Sequence, residues 1–274
     1  MCGFFFIKKK IALKFDIKKL NDSADLIAHR GPDGSKTFYN NDIFVKFYRL
    51  SIQDLSDNGM QPMISRSKNI MLVFNGEIYN FKKLKKYLKG KPLNSDSDTE
   101  VLLNLYEEMG VKIFDRLRGM FSLLIYDFQT KKILVARDQF GIKPLYVHDC
   151  NKFIIFSSEI KPILNYLKKT NFNYHTIAEF LLLGKQDHHN TTFFNNIDSV
   201  KPSHYYKYTA NSIIKKKYWS IFSNKYKKQN EKKTIDELYN LINSKVDDYL
   251  ISDRKIGVFM SSGIDSTSLA SLIS

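Results

Sequence analysis

Cys2 is the residue whose type and position most directly suggest chemistry. It follows Met1 and precedes Gly3, and a small residue behind the first methionine lets an aminopeptidase remove Met1. Cys2 would then carry a thiol and an α-amine on one residue, which gives a nucleophile its own base. The ordinary α-amino pKa of about 7.7 to 8.0 leaves much of that amine neutral at cellular pH. The tripeptide therefore predicts nucleophilic catalysis by Cys2, unless Cys2 merely follows the first residue and has no role.

Three other positions carry side chains that could bind or activate a substrate. Arg49 ends a predicted strand, and its planar guanidinium could hold a carboxylate through two parallel hydrogen bonds. A predicted strand at 70–74 ends in a predicted tight turn at Asn75-Gly76, where this pair is common, and the same two residues could form an oxyanion hole. Asp98 could cap the following helix or accept a hydrogen bond from a substrate ammonium group. Spacing alone does not choose between these structural and functional roles.

The sequence SSGIDS at residues 261–266 could bind phosphate. It lies between a short apolar stretch, predicted as a strand at 255–260, and an apolar helical pattern. A turn of small residues between a strand and a helix presents backbone N–H groups and a helix N-terminus to an anion. The motif therefore suggests a nucleotide site, with an ordinary strand-to-helix turn as the alternative.

The elements that must position these residues are mostly strands. A short apolar strand is predicted at 3–7, and the stretch 114–156 contains three or four apolar strands separated by short polar turns. Short turns without crossover helices indicate an antiparallel sheet. A polar, lysine-rich stretch at 220–234 is predicted as a linker, and residues 235–250 have the apolar spacing of a helix.

Length, charge and cysteine count restrict the class of protein. A chain of 274 residues with 43% hydrophobic side chains can fold as one large domain or two modest ones. The net charge of +15 comes from lysines spread along the chain rather than one basic face, so we predict no nucleic-acid partner. The two cysteines, Cys2 and Cys150, imply no disulfide framework. No apolar run reaches the roughly 18 residues of a membrane span, and the sequence indicates a cytoplasmic protein without a metal site.

Several motifs occur together in an order and spacing that resemble the glutaminase domain of class II glutamine amidotransferases, in particular glutamine-dependent asparagine synthetases. The matching stretches lie within residues 2–205 and are MCG, HRGPDG, RLSIQDLS, FNGEIYNF, SDSDTE, GMFSLLIYD and RDQFGIKPLY. The resemblance implies an α+β fold, the four-layer αββα sandwich of N-terminal-nucleophile glutaminases. It also implies that SSGIDS opens an α/β ATP-pyrophosphatase domain, of which this chain holds the first elements.

The resemblance also implies roles for individual residues. Cys2 would be the nucleophile, and Asn75 with Gly76 would form the oxyanion hole. Arg49 and Asp98 would hold the carboxylate and the amine of glutamine. The residues that would complete the glutamine pocket are Leu50, Ser51, Ile52, Gln53 and Glu77. The residues that would contact ATP, bound with Mg²⁺, are Phe259, Ser261, Ser262, Gly263, Asp265 and Ser266.

The implied reaction makes asparagine and glutamate from aspartate, glutamine and ATP, with release of AMP and pyrophosphate. Two departures affect it: Ser262 stands where the family has the first glycine of Ser-Gly-Gly, and the sequence stops at Ser274. We therefore expect a complete glutaminase domain at 2–205, a linker at 206–234 and a truncated synthetase start at 235–274. The alternatives are an amidotransferase for a sugar or peptide acceptor and a non-catalytic remnant that serves as an interaction module. A homodimer is left open.

Overall fold

The structure is a computed structural model, and it describes residues 1–185, 189–222 and 230–273. The strands are β1 (Gly3–Lys9), β2 (Gly34–Tyr39), β3 (Ile43–Arg49), β4 (Met63–Ile64), β5 (Ile70–Ile78), β6 (Gly119–Asp127), β7 (Ile133–Arg137), β8 (Tyr146–Asp149), β9 (Phe153–Ser157), β10 (Asp198–Ser199), β11 (His204–Tyr208) and β12 (Ile213–Lys217). The helices are α1 (Ile17–Ala24), α2 (Phe81–Leu84), α3 (Asp98–Met109), α4 (Ile160–Leu167), α5 (Tyr174–Leu183), α6 (Glu231–Tyr249) and α7 (Ile264–Ile273). Within the described residues, none of these helices combines the length and apolar character that a membrane crossing needs.

The strands form two antiparallel sheets. The first sheet has the order β10-β8-β9-β1-β3-β2, and the second has the order β12-β11-β7-β6-β5-β4. β1 lies inside the first sheet, paired with β9 on one side and β3 on the other. β5 and β6 pair along their whole length, from Ile70 opposite Asp127 to Ile78 opposite Gly119. The antiparallel strands predicted within 114–156 are confirmed as β6 to β9.

The two sheets pack face to face through alternate side chains of their strands. Phe4 and Phe6 of β1 lie between the sheets with Val73 of β5, while Phe5 and Ile7 lie on the outer face. This alternation follows from the two-residue period of a strand. The uninterrupted apolar run at the start of the chain is therefore a strand buried on both faces. Burial of each phenylalanine contributes about 1.5–3 kcal/mol to the stability of the fold.

Helices cover the outer faces of both sheets. Leu20 of α1 and Ile163 of α4 pack on the outer side of the first sheet. Leu105 of α3 packs on the outer side of the second sheet, where it joins the same core as Phe74 and Leu123. The order helix, sheet, sheet, helix confirms the predicted α+β class and the αββα sandwich.

The turn predicted at Asn75-Gly76 is wrong, because β5 runs through both residues to Ile78. Gly76 lies opposite Phe121 of β6, and a Cβ on Gly76 would be 2.1 Å from the carbonyl oxygen of Met120. The close approach of two paired strands therefore requires a glycine here. The Asn-Gly pair signals a turn by composition, and pairing along β6 overrides that signal.

The second sheet extends past residue 205, because β11 and β12 continue it to Lys217. The stretch predicted as a linker at 206–234 therefore overlaps two strands, and its residues 223–229 lie outside the described part of the chain. The domain boundaries remain a prediction.

The stretch after this sheet is partly helical. The helix predicted at 235–250 is confirmed by α6. The strand predicted at 255–260 is not formed, because the described residues place no strand beside it and a strand needs a hydrogen-bonding neighbour. α7 follows the SSGIDS sequence as the helical pattern predicts.

Candidate active site

Cys2 lies immediately before β1, at the edge of the core between the two sheets. Its Sγ accepts a hydrogen bond from the backbone N–H of Leu50 at 3.3 Å. Its carbonyl oxygen accepts a hydrogen bond from Nε of Arg30 at 3.0 Å. Gly3 permits this contact, because a Cβ on Gly3 would be 2.9 Å from the Arg30 side chain. Cys2 is thus held by residues on two different segments, Leu50 at its thiol and Arg30 at its carbonyl oxygen.

The surroundings of Cys2 favour a protonated thiol and a neutral amine. Burial raises the pKa of the Cys2 thiol, and the hydrogen bond from Leu50 only partly opposes this effect. Burial also lowers the pKa of the Met1 α-amine; a Cys2 thiolate opposes this shift, while the cations Arg30 and Lys143 add to it. A thiol that keeps its proton and a nearby chain-end amine with a lowered pKa have the properties that a nucleophile and its base need.

One edge of β5 presents backbone N–H groups to the pocket at alternate residues. The Phe74 N–H donates to Oε1 of Gln61 at 2.6 Å, and the Ile78 N–H donates to Oδ2 of Asp98 at 2.8 Å. Gly76 lies between these two residues. Alternate residues of a strand direct their N–H groups to the same edge, so the Gly76 N–H points the same way.

The partner strand does not use the Gly76 N–H. Phe121, opposite Gly76, donates its N–H to the Asp138 carboxylate at 3.1 Å and accepts the Asp138 N–H at 2.8 Å. Both backbone polar groups of Phe121 therefore point away from β5. Alternation in an antiparallel pair then leaves the Gly76 N–H free of β6 and available to a substrate oxygen.

Asn75 adds a second donor beside Gly76. Its side chain is buried, with 1% of the residue exposed, and neither Nδ2 nor Oδ1 has a hydrogen-bond partner among the described residues. An unpaired buried amide costs about 1–3 kcal/mol, so such a group calls for a functional explanation. The Asn75 amide and the Gly76 N–H have the chemistry of an oxyanion hole.

Arg49 lies at the end of β3 and is 5% exposed. Its guanidinium donates hydrogen bonds to the carbonyl oxygens of Asp54 and Ser56 in the loop that follows the strand. These two bonds hold a buried cation at the wall of the pocket that contains Cys2. A guanidinium in this position is suited to binding a carboxylate.

Glu77 and Asp98 form the acidic side of the pocket. Glu77 accepts a hydrogen bond from Nε2 of Gln53 at 2.6 Å, and Asp98 is 5% exposed at the first residue of α3. Burial raises the pKa of both carboxyl groups, and the charge of Asp98 raises the Glu77 pKa further. A bound ammonium group would favour their ionised forms, so the pair is suited to receive a cation.

The structure brings most of the predicted glutamine-site residues to one pocket. Its lining contains Cys2, Arg49, Leu50, Ile52, Gln53, Gly76, Glu77 and Asp98. Asn75 is buried next to this lining, and Ser51 lies outside it, with its N–H donated to the Asp33 carboxylate at 2.8 Å. Sequence reasoning missed the lining residues Gly59, Gln61, Phe74, Ser97 and Thr99. The pairs Asn58-Gly59 and Gln61-Pro62 signal only a loop.

The residues predicted to contact ATP lie on the mostly exposed stretch before α7 and in the first turn of α7. Phe259 is fully exposed, and Ser262 and Asp265 are exposed as well. The Ser261 N–H donates to Oγ of Ser266 at 3.1 Å, and the Gly263 N–H donates to Oγ of Ser261 at 3.2 Å. Serine side chains thus occupy two of the backbone donors that a phosphate would need, so these residues do not form a phosphate cradle here.

The sequence of this chain is similar to a glutamine amidotransferase family model and to glutamine-hydrolysing asparagine synthetases. A family model described as "Glutamine amidotransferase domain" matches residues 1–219. The chain is 36% identical over 263 residues to asparagine synthetase [glutamine-hydrolyzing] 2 of Bacillus subtilis, covering 92% of this chain and 35% of that protein. It is 33% identical over 280 residues to asparagine synthetase [glutamine-hydrolyzing] 1 of the same organism, covering 99% and 44%. The chain therefore spans less than half the length of these two relatives.

A solved structure supports the fold. The glutamine phosphoribosylpyrophosphate amidotransferase of Bacillus subtilis superimposes with a TM-score of 0.55 and 18% identity. The match covers 81% of this chain and 50% of that protein. At this identity the likeness bears on the fold alone, and it agrees with the αββα sandwich.

Proposed function

This chain belongs to the glutamine amidotransferase family, and we propose that its Cys2 site hydrolyses glutamine as the ammonia-supplying half of asparagine synthesis. The observation that carries the proposal is the arrangement around Cys2. The thiol shares its pocket with Gly76, and next to that glycine lies the buried Asn75 amide, which has no hydrogen-bond partner within the described part of the chain. The named relatives, both glutamine-hydrolysing asparagine synthetases, support the choice of reaction.

Catalysis begins when removal of Met1 leaves the α-amine on Cys2. The amine takes the thiol proton as Sγ attacks the side-chain amide carbon of glutamine. The Asn75 amide and the Gly76 N–H stabilise the negative charge that develops on the carbonyl oxygen. The ammonium returns its proton to the amide nitrogen, the C–N bond breaks, and ammonia leaves a γ-glutamyl thioester on Cys2. Water then attacks the thioester, which releases glutamate and restores the thiol.

Glutamine is held by charges at both ends of its amino-acid group. The Arg49 guanidinium binds the α-carboxylate. Glu77 and Asp98 receive the α-ammonium, whose charge offsets the cost of ionising two buried carboxyls. Leu50, Ile52 and Gln53 line the pocket beside these groups, and Ser51 lies just outside the lining. These roles agree with the burial of Arg49 and Asp98, because a buried charge needs a partner and glutamine supplies both.

The second half of the proposed reaction is the synthesis of asparagine from aspartate and ammonia. By resemblance, ATP with Mg²⁺ would activate aspartate at a site that includes residues 261–266. The exposed Ser262 and the serine-bonded N–H groups of this loop do not fit ATP as they stand, so no step is assigned to it. We further propose that the glutaminase domain, predicted at 2–205, extends with its second sheet to Lys217, and that a linker to 234 and the synthetase start at 235–274 follow. A cytoplasmic location and a homodimer complete the proposal.

The test is release of glutamate from glutamine by the purified chain, after mass spectrometry has verified that Met1 is absent. A glutamine-analogue electrophile such as 6-diazo-5-oxo-norleucine should add covalently at Cys2. Absence of both hydrolysis and labelling in a chain that lacks Met1 would refute the glutaminase proposal. Sedimentation of the same sample measures its oligomeric state, and titration with MgATP should give weak binding or none.

A further inference from the structure

The residues that follow α6 contact the outer side of the glutamine pocket. The Asp253 N–H donates to the carbonyl oxygen of Ile52 at 2.9 Å, and the Asp253 carboxylate accepts the Asp54 N–H at 2.7 Å. One residue thus bonds to the backbone on both sides of Gln53. This two-point contact resembles a single rung of strand pairing, and it fixes the backbone direction at Gln53.

Gln53 and Asp54, which Asp253 contacts, reach both ends of the proposed substrate site. The Gln53 amide donates to Oε2 of Glu77 at 2.6 Å, on the side assigned to the glutamine ammonium. The carbonyl oxygen of Asp54 accepts from the Arg49 guanidinium, on the side assigned to the glutamine carboxylate. A shift of the Gln53 and Asp54 backbone would therefore displace both groups that recognise the substrate.

Asp54 has a backbone conformation that depends on outside contacts. Its φ of 54° lies in the left-handed region, which an aspartate adopts at a cost unless its surroundings hold it there. The contacts that hold it are its own N–H to Asp253 and its carboxylate, which accepts the N–H of Asp96 at 2.9 Å and of Ser56 at 3.0 Å. Asp253 supplies the contact that comes from beyond the sandwich.

Several contacts anchor Asp253 to the sandwich. Tyr249 at the end of α6 stacks on Tyr79 with ring centroids 4.0 Å apart. Asp248 pairs with Lys83 at 2.9 Å. Arg254 donates from Nε to the carbonyl oxygen of Ser51 at 3.2 Å. Because contacts flank Asp253 on both sides, its position relative to the pocket is set by the fold rather than by the side chain alone.

We propose that Asp253 is a positioning residue for glutamine recognition, acting on Glu77 and Arg49 through the backbone of Gln53 and Asp54. The proposal rests on the proposed glutaminase function. The segment after α6 is then part of the glutaminase site, although it lies beyond the two sheets. Asp253 touches neither Cys2 nor the oxyanion donors, so it affects substrate binding more than the chemical step.

The experiment compares three variants of the full chain with the parent. Asp253→Ala removes the acceptor for the Asp54 N–H, Asp253→Asn keeps an oxygen that can accept it, and Asp247→Ala alters an exposed aspartate on α6 as the matched control. Glutamine hydrolysis gives KM and kcat, and hydrogen exchange followed by mass spectrometry reports on residues 50–56. We expect Asp253→Ala to raise KM about fivefold to tenfold with kcat within about twofold, as loss of one hydrogen bond implies.

The exchange of residues 50–56 should become faster in Asp253→Ala and stay unchanged in Asp253→Asn and Asp247→Ala. An unchanged KM and unchanged exchange in Asp253→Ala would overturn the positioning role, as would an Asn variant as impaired as the Ala variant. Hydrogen exchange tests the contact between Asp253 and the loop at residues 52–54 even without turnover. A parent chain that hydrolyses no glutamine, yet shows the predicted exchange pattern, would refute the glutaminase function and leave the contact between Asp253 and the loop established.

Discussion

The guanidinium of Arg49 occupies the space that a side chain on Gly59 would need. A Cβ on Gly59 would lie 2.3 Å from Nη2 of Arg49. Because Gly59 has no side chain, the Arg49 guanidinium can approach the loop closely and donate to its carbonyl oxygens. The orientation of the proposed carboxylate-binding group depends on a residue with no functional group at all.

Gly59→Ala should weaken glutamine binding. The added methyl group must displace the guanidinium, because the clash involves the end of the Arg49 side chain. We expect KM for glutamine to rise at least about tenfold, with a smaller change in kcat. Steady-state kinetics measure this, and Gly257→Ala is the control, since a Cβ on Gly257 meets open space. Equal KM values for the two variants would contradict the assigned role of Arg49.

Cys2→Ala should abolish hydrolysis and leave binding intact. Loss of the thiol removes the nucleophile, whereas the Arg49 and Asp98 side chains still hold glutamine. Arg49→Ala should instead lose most of the binding. Isothermal calorimetry with glutamine distinguishes the two, and thermal melting checks that both variants are folded. The division of roles fails if Cys2→Ala loses glutamine binding as completely as Arg49→Ala does.

The rate of hydrolysis should depend on the charge near the chain end. The groups around the Met1 amine are Cys2, Arg30, Lys143 and Asp33, and the pKa of the amine is lowered from 8.0 chiefly by burial. We expect the same direction for the Cys2 amine after Met1 is removed, so kcat/KM should rise with pH and level off below about pH 8.

Lys143→Met tests the source of that shift. Removing this buried cation should raise the pKa of the amine, because the ammonium form is no longer repelled. The rise of kcat/KM should then occur at higher pH. Lys112→Met, at an exposed lysine, should leave the profile in place. Coincident profiles for all three proteins would show that Lys143 does not act on the base.

Glu77→Gln should stabilise the fold and impair binding. The raised pKa of Glu77 means that the folded chain holds a proton more tightly than the unfolded chain, so stability falls as pH rises above the ordinary value of 4.5. The neutral side chain in Glu77→Gln removes the cost of ionising a buried carboxyl group. Tm should increase by about 2 to 4 °C at neutral pH, for roughly 1 kcal/mol, and by nothing in acid. A Tm gain that persists in acid would point to packing instead of charge.

The antiparallel strands could be predicted because their apolar pattern is local, whereas the αββα sandwich was expected only from the resemblance to the glutaminase domain. The run at β1 and the four strands from β6 to β9 are apolar and short. Polar turns separate β6 to β9, in which β6 pairs with β7 and β8 pairs with β9. The turn prediction at Asn75-Gly76 failed because the pair is extended by pairing with β6, more than 40 residues later in the chain. No local signal reports such a pairing.

The site could be predicted only in part for a similar reason. Cys2, Arg49 and Asp98 carry groups whose chemistry is visible in the sequence. Gly59 leaves room for the Arg49 guanidinium, and the Asp253 carboxylate accepts a backbone N–H from a distant loop; the residue type shows neither relationship. Residues that position others are found from contacts and not from residue type.

The interior place of β1 in its sheet has a consequence for biosynthesis. β1 leaves the ribosome early, but its neighbours β3 and β9 end at Arg49 and Ser157. At about 5–20 residues per second, roughly 8 to 30 seconds pass before the second neighbour has been translated. During that interval the nascent segment around Cys2 has no completed sheet to enter, and the aminopeptidase meets an open chain. Removal of Met1, which exposes the amine of the proposed nucleophile, can therefore precede burial of the strand that follows Cys2.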